Sequence, residues 1–108
     1  MIIVKVESNL ISMLEIRPTC ENCNVSLSND SKEAMICTFE CTFCKNCVDT
    51  VLFNVCPNCG GGFTKRPSRP TKLLEKYPLS TKVVYKPVKL EKFKKLLEKF
   101  RGTNPRER

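Results

Sequence analysis

Eight cysteines lie between residues 20 and 59 of this 108-residue chain, and they form four close pairs. Three of the pairs are separated by two residues and one by three residues. The pairs are Cys20 and Cys23, Cys37 and Cys41, Cys44 and Cys47, and Cys56 and Cys59. A two-residue gap lets the backbone curl until both sulfurs point to one metal ion, so each pair is half of a potential metal site. Thiols at this density are held by metals or by disulfides, which limits the possible folds more than any other feature.

The amino-terminal stretch argues against disulfides. It reads MIIVKVESNLISMLEIR, with Lys5 and Glu7 inside its apolar run, so it lacks the uninterrupted apolar region and cleavage site of a signal peptide. No segment approaches the ~18 consecutive apolar residues that a membrane span requires. We therefore expect a cytoplasmic protein without a transmembrane segment, whose thiols stay reduced.

The available ligands favour zinc. The sequence contains no histidine, which removes imidazole as a ligand and as a catalytic base. Four thiolates complete one tetrahedral zinc site, so eight cysteines predict two zinc ions per chain. An iron–sulfur cluster is a weaker alternative, because a ferredoxin-type run through Cys41, Cys44 and Cys47 would need its fourth ligand at Val51.

The pairs can be combined in two ways. In a serial arrangement, consecutive pairs share a metal; ribbon-type sites of that kind separate their pairs by about 15–20 residues, whereas the gaps here are thirteen and eight residues. In the alternate arrangement, the cross-brace, the stretch ICTFECTFCKNC gives one pair to each metal. Its site 1 is Cys20, Cys23, Cys44 and Cys47, and its site 2 is Cys37, Cys41, Cys56 and Cys59. The spacing favours the cross-brace and leaves the serial arrangement open.

Two resemblances follow from these residues. The irregular gap between Cys37 and Cys41 resembles the RING pattern, in which the position of Cys41 often carries histidine. The segments LEIRPTCENC, EAMICTFECTFCKNC, CPNCGG and KRPSRP resemble a group of small bacterial proteins, domain-of-unknown-function family 1272, from about Met13 to Val88. That resemblance implies a cysteine-rich metal-binding protein and assigns no activity. Members of the group usually begin at a methionine corresponding to Met13, which makes residues 1–12 an N-terminal extension.

The predicted fold of residues 13–63 is a small metal-stabilised α+β domain with a RING-like cross-brace. Ala34 to Phe39 and Thr42-Phe43 have the β-branched and aromatic character of a short hairpin. After Cys47, apolar residues at positions i, i+3 and i+4 predict one short helix that ends at about Phe53. The expected core consists of Leu27, Ile36, Phe39, Val51, Leu52, Phe53 and Phe63.

Charge divides the chain. Residues 1–63 carry a formal charge of −3 and residues 64–108 one of +11. Residues 64–87 form a basic strap in which four prolines predict extended backbone, with one helical turn after Thr71. We expect a solvated strap lying across the acidic metal domain. The alternative is contact along a nucleic-acid backbone, through Arg66 and Arg69 with two interleaved tyrosines.

Residues 88–101 predict an amphipathic helix and residues 102–108 a disordered tail. The apolar face of the helix comprises Leu90, Phe93, Leu96, Leu97 and Phe100, within an arc of about 120°. We expect this face to dock on its own domain or to self-associate with a second copy. An unknown protein partner, nucleic acid or an anionic membrane surface are the alternatives.

The sequence predicts a non-enzymatic interaction or adaptor protein. A zinc ion closed by four cysteines has no open position for water or substrate, and no cysteine remains as a nucleophile. A small nucleic-acid-binding protein is the alternative. A RING-type ubiquitin ligase fits less well: Asn22 stands where ligases have an aliphatic residue, Gly60 where a cation is common, and only Pro57 agrees.

Overall fold

The computed structural model describes residues 13–108, so the predicted extension 1–12 lies outside the described residues. Three short strands and two α-helices form the framework. They are β1 (Ala34–Ile36), β2 (Thr42–Cys44), α1 (Lys45–Cys47), β3 (Thr64–Lys65) and α2 (Leu90–Phe100). A π-helical turn, Val48–Leu52, continues α1, and short 3-10 turns occupy Thr71–Leu73 and Pro105–Glu107. The predicted small α+β class is confirmed.

The sheet is antiparallel, with β1 in the centre of the order β2-β1-β3. Ala34 pairs with Cys44, and Ile36 pairs with both Thr42 and Thr64. The turn between β1 and β2 therefore contains the pair Cys37 and Cys41, and the far end of β2 carries Cys44. The hairpin that the sequence predicts is present, and it places cysteines at both of its ends.

The short helix begins at Lys45, earlier than its apolar spacing predicts. Cys44 is its N-cap, and its sulfur accepts a hydrogen bond from the N–H of Cys47 at 3.4 Å. A sulfur cap has no clear signature in the sequence, because Ser, Thr, Asp and Asn are the usual residues at this position. The helical segment ends at Phe53, whose backbone is left-handed with φ 48°. The predicted end is thus confirmed.

The core lies between the sheet and the two helices. Leu52, Val55 and Phe43 are each at most 1% exposed, and the ring of Phe43 packs edge-on against Phe63 with centroids 5.4 Å apart. This geometry is one of the favoured arrangements of aromatic pairs. Among the residues expected in the core, those that are fully buried are Leu27, Leu52 and Phe63, whereas Ile36, Val51 and Phe53 are half-buried.

Phe39 is 72% exposed, so its predicted place in the core is wrong. β1 ends at Ile36, and Phe39 lies in the turn that holds Cys37 and Cys41, where its own N–H donates to the sulfur of Cys37 at 3.3 Å. In this turn, side chains no longer alternate between the core and the solvent as they do along a strand. Phe43, on β2, fills the position in the core instead.

The strap is extended over most of its length and has one helical turn at Thr71–Leu73, as its prolines predict. The strap lies on the metal domain, as expected, and its two arginines are bound there, which does not support the alternative that they contact nucleic acid. Arg66 is 5% exposed, and its guanidinium donates to the carbonyls of Arg17, Leu27 and Ser28 at 2.8, 3.1 and 2.7 Å. Arg69 donates to the carbonyl of Leu14 at 2.6 Å. Both guanidinium groups fasten the strap to the metal domain.

α2 docks on its own domain through most of its apolar face. Phe93 is 5% exposed, and Leu96, Leu97 and Phe100 pack against the core. Only Leu90 of this face is largely exposed, at 64%. This docking is the first of the two arrangements expected for the face, because burying these side chains inside the molecule removes their apolar surface from water.

Residues 102–108 also contact the domain, in contrast to the predicted disorder. The guanidinium of Arg108 donates to the carbonyls of Asn54 at 2.8 Å and Gly60 at 3.1 Å. The side chain of Asn104 caps the 3-10 turn Pro105–Glu107 by accepting the N–H of Arg106. Within residues 13–108, no helix is both long enough and apolar enough to cross a bilayer.

Candidate metal centres

The sulfurs of Cys20, Cys23, Cys44 and Cys47 lie within 4.8 Å of one another. The first two come from the loop before β1, and the last two from the end of β2 and from α1. Three of the four are buried, and Cys23 is exposed. Because all four donors are thiols at the separation of a tetrahedral ligand set, this cluster can hold a metal ion.

A second cluster brings the sulfurs of Cys37, Cys56 and Cys59 within 4.8 Å of one another. Cys41 lies outside this set of three, but its thiol is close enough to shift the pKa values of Cys37 and Cys56. Cys41 is buried at 8% exposure, whereas Cys59 is exposed. The eight thiols form no disulfide in the described part of the chain.

The structure therefore groups the first pair with the third, and Cys37 of the second pair with the fourth. The hairpin explains this grouping. Cys41 and Cys44 are only three residues apart, but Cys41 lies just before the extended strand β2 and Cys44 is its last residue, which separates them by about 10 Å at 3.3 Å per residue. One metal cannot use both. Seven of the eight sulfurs thus have the grouping that the cross-brace requires, and no serial grouping of sulfurs is found among residues 13–108.

Two loops with similar hydrogen bonding carry the outer pairs. In the first, the N–H of Asn24 bonds to the carbonyl of Cys20 at 2.9 Å. In the second, the N–H of Gly60 bonds to the carbonyl of Cys56 at 2.7 Å. The residue that ends each turn is left-handed, with φ 65° at Asn24 and 78° at Gly60, a conformation that Asn and Gly adopt most readily.

Amide groups surround the sulfurs. The N–H of Cys23 donates to Cys20 at 3.5 Å, and that of Gly61 donates to Cys59 at 3.4 Å. The side-chain amide of Asn22 donates to the sulfur of Cys47 at 3.2 Å. Such donors stabilise thiolates and orient them toward a bound cation.

The thiols of each cluster also perturb one another. Hydrogen bonds from Cys41 and Cys56 lower the pKa of Cys37 to about 3, and the matching contacts raise the pKa of Cys56. In the first cluster, burial raises the pKa values of Cys44 and Cys47. The sulfurs of each cluster are thus close enough to share protons. A divalent cation that replaces those protons can be bound by all of the sulfurs.

Two residues inside the first loop have roles that sequence reasoning missed. Glu21 is 2% exposed, and its Oε2 accepts from Arg17 Nη1 and from the N–H of Thr42, both at 2.8 Å. Asn22 bonds to the sulfur of Cys47 and to the backbone N–H of Val88. The signal was their position between two ligands, in CENC, but a sequence shows only the position and not the partner.

The carboxylates near this cluster are held in ion pairs and hydrogen bonds. Arg17 bridges Glu15 at 3.0 Å and Glu21 at 2.8 Å. Burial raises the pKa of Glu15, but hydrogen bonds from Arg17 and Ser80 more than offset it, so the net pKa is lowered. Glu40 accepts the N–H of Glu15 at 2.6 Å. These contacts tie the loop before β1 to the strap.

The part of the chain that builds the clusters also matches known proteins. A family model described as "Protein of unknown function (DUF1272)" matches residues 13–69, a span that contains all eight cysteines. An uncharacterized protein of Rhizobium meliloti (strain 1021) is 57% identical over 75 residues, which cover 69% of this chain and 89% of that relative. No solved structure matches the chain.

Proposed function

The chain belongs to the DUF1272 family of proteins of unknown function, and we propose that it is a non-enzymatic zinc-binding protein that acts as an interaction or adaptor module. One observation carries the proposal: two clusters of cysteine sulfurs are linked through the single hairpin β1–β2. A hairpin shared in this way makes each site depend on the other, which suits structural metals better than exchangeable ones.

We assign Cys20, Cys23, Cys44 and Cys47 to the first zinc and Cys37, Cys41, Cys56 and Cys59 to the second. The contacts of Cys41 with Cys37 and Cys56 support its place as the fourth ligand of the second site. Zinc held by four thiolates cross-links the chain and has no open position for a substrate. The protein's own residues position the thiolates, and the surrounding amide donors stabilise their charge.

The position of the strap also argues for a module without ligase activity. The N–H of Lys86 donates to the carbonyl of Glu21 at 2.8 Å, and Lys86 Nζ donates to Asn58 Oδ1 at 3.2 Å. Both partners lie in the metal-binding loops, where a RING-type ligase would present its docking surface. The chain's own strap occupies part of that surface, in agreement with the poor match at Asn22 and Gly60.

Nucleic-acid binding is the second candidate, favoured by unpaired cations in the tail. Residues 64–108 carry fifteen Lys and Arg against four Asp and Glu. The ion pairs that the structure shows among residues 13–108 involve only Arg17 and Lys45 as cations. The exposed lysines of the strap and of α2 are therefore free to meet phosphates.

Native mass spectrometry of the full chain, purified without chelator, tests the metal assignment. We expect two zinc ions per chain and a colourless protein; one metal, or a brown iron-containing protein, contradicts it. Capture of partners from native lysate, with and without nuclease, then separates the two candidate functions. Partners lost after nuclease treatment, together with binding that weakens steeply with salt, would favour nucleic acid over an adaptor role.

A further inference from the structure

A cavity of about 490 Å³ lies where the strap meets α2. Three parts of the chain enclose it. The metal domain contributes Phe43 and Pro57, the connection to α2 contributes Val88, and α2 itself contributes Phe93 and Leu96. A cleft of roughly 300–1,000 Å³ between packed elements is the usual size of a small-molecule site.

The inner wall is apolar and rigid. Phe43 is 1% exposed and Phe93 is 5% exposed, and both belong to the buried core. Phe43 is held by its edge-on contact with Phe63. An apolar body placed against this wall would lose water at little cost in protein order.

The rim of the cavity is cationic. Lys86, Lys89 and Lys92 line it, and all three side chains are exposed. None of them forms an ion pair with a carboxylate within the part of the chain that the structure describes. Lys86 Nζ donates to Asn58 Oδ1 at 3.2 Å, but this partner carries no charge. Three ammonium groups beside an apolar wall attract an anion through charge and leave its apolar part to the rings.

Glu21 is the carboxylate that lines the cavity, and it does not cancel this charge. Its Oε2 is already paired with Arg17 at 2.8 Å. Among residues 13–108, its Oε1 has only the side-chain amide of Asn58 as a donor, at 3.4 Å, although Glu21 is 2% exposed. A buried acceptor with one long hydrogen bond can take a further donor. The Glu21 carboxylate also repels an acidic group of a ligand from the floor of the cavity. The lysines at the rim are therefore the place where such a group can bind.

We propose that this cavity binds a small organic anion. Its apolar body lies against Phe43 and Phe93, its acidic group lies at Lys86, Lys89 and Lys92, and an N–H or O–H group on the body donates to Glu21 Oε1. A nucleic-acid backbone would contact the lysines alone and leave the cavity empty. The proposal does not depend on the adaptor role, because it concerns a site built from side chains that no zinc ion uses.

Anilinonaphthalene sulfonate is a suitable probe, since it combines an aromatic body, an N–H donor and one anionic group. Phenylnaphthylamine has the same body without the sulfonate. In fluorescence titrations of the full chain, purified without chelator, we expect the sulfonate to bind about tenfold more tightly than the neutral analogue at low salt. We expect that preference to shrink as salt screens the lysines. Equal affinity for the two probes overturns the proposal.

A pair of matched variants tests the rim. Lys89→Gln combined with Lys92→Gln should weaken sulfonate binding about tenfold, while affinity for the neutral analogue stays the same. Lys95→Gln combined with Lys99→Gln removes the same charge from the same helix at positions that do not line the cavity, and should leave both affinities unchanged. Equal losses in the two double variants would show net charge alone and overturn the site.

Amide spectra locate the probe. The cross-peaks of Asn58, Val88 and Phe93 should move on titration with the sulfonate, because these residues line the cavity. Movement centred on the exposed Phe39, or on the neighbouring cleft lined by Val51 and Leu90, would place the probe elsewhere and refute the proposal. Two zinc ions per chain with no probe binding would leave the zinc assignment intact and remove only this inference.

Discussion

The backbone N–H of Val88 donates to the side-chain oxygen of Asn22 at 2.8 Å, across 66 residues of sequence. The side-chain amide nitrogen of Asn22 donates to the sulfur of Cys47 at 3.2 Å. One side chain thus connects the first cysteine cluster to the segment that leads into α2. Both bonds use the planar side-chain amide of Asn22. A shift of the Cys47 sulfur therefore also moves the oxygen to which the N–H of Val88 donates. We therefore expect docking of α2 to be coupled to the state of the first cluster.

Asn22→Ala should loosen α2 without removing any cysteine. The variant loses two hydrogen bonds and leaves the N–H of Val88 unpaired, at a cost of about 1–3 kcal/mol in the free energy of unfolding. Amide hydrogen exchange should accelerate at Val88 and Phe93. Asn46→Ala is the control, because Asn46 is exposed on α1. Unchanged exchange at Phe93 in Asn22→Ala would show that the coupling does not exist.

Arg66→Lys should destabilise the fold although it keeps the charge. The guanidinium of Arg66 reaches three carbonyls at once, and an ammonium group cannot reproduce that planar fork. We expect the free energy of unfolding in urea to fall by about 2 kcal/mol. Lys65→Arg is the matched control, since Lys65 is exposed on β3. Equal stability of both variants would mean that the carbonyls are satisfied in another way.

The sequence predicts the framework well where spacing alone decides the outcome. The four cysteine pairs, the hairpin around Cys37 and Cys41, and the apolar face of α2 all follow from periodicity or spacing. The length of β2 then explains why Cys41 and Cys44 point to different clusters. Spacing favours that arrangement, but the strand geometry is what separates the two sulfurs.

Errors arise where the partner of a side chain decides its role. Arg66 and Arg69 look like nucleic-acid contacts because the strap is basic, but backbone carbonyls, which leave no trace in a sequence, hold both side chains. Phe39 and Phe43 are equally apolar, and the end of β1 at Ile36 makes one exposed and the other buried. The sequence shows that Asn22 lies between two cysteines. It does not show the bond to Val88, because that bond depends on the docked strap.

Removal of metal should unfold the cysteine-rich region and undock α2. Structural zinc contributes apparent binding free energies of about 10–16 kcal/mol, and cysteines make up a large part of the buried cluster here. On adding a strong chelator, amide dispersion should collapse for residues 20–59. Phe93 should lose its protection as well, since the core on which it packs is gone. Return of the spectrum on adding zinc is the control; dispersion that persists without metal contradicts this prediction.

Two serine substitutions test which cysteines share a metal. In the cross-brace, Cys44 shares its site with Cys20, whereas in a serial arrangement it shares a site with Cys56. Cys44→Ser should therefore change the ¹³Cβ shift of Cys20 more than that of Cys56. Cys41→Ser is the reciprocal variant and should change Cys56 more than Cys20, because the Cys41 thiol is close enough to Cys56 to shift its pKa.

The reciprocal design keeps this test informative even when a variant is partly unfolded. General loss of structure changes Cys20 and Cys56 together in both variants, whereas shared coordination gives opposite orders in the two. A fragment of residues 13–42 adds an independent measurement. It contains Cys20, Cys23, Cys37 and Cys41, a complete ligand set only if the arrangement is serial. We expect it to bind zinc weakly and to lack amide dispersion, because β2 ends at Cys44 and the hairpin is cut. A folded fragment with one tightly bound zinc would refute the cross-brace, since each of its sites needs sulfurs from both sides of that strand.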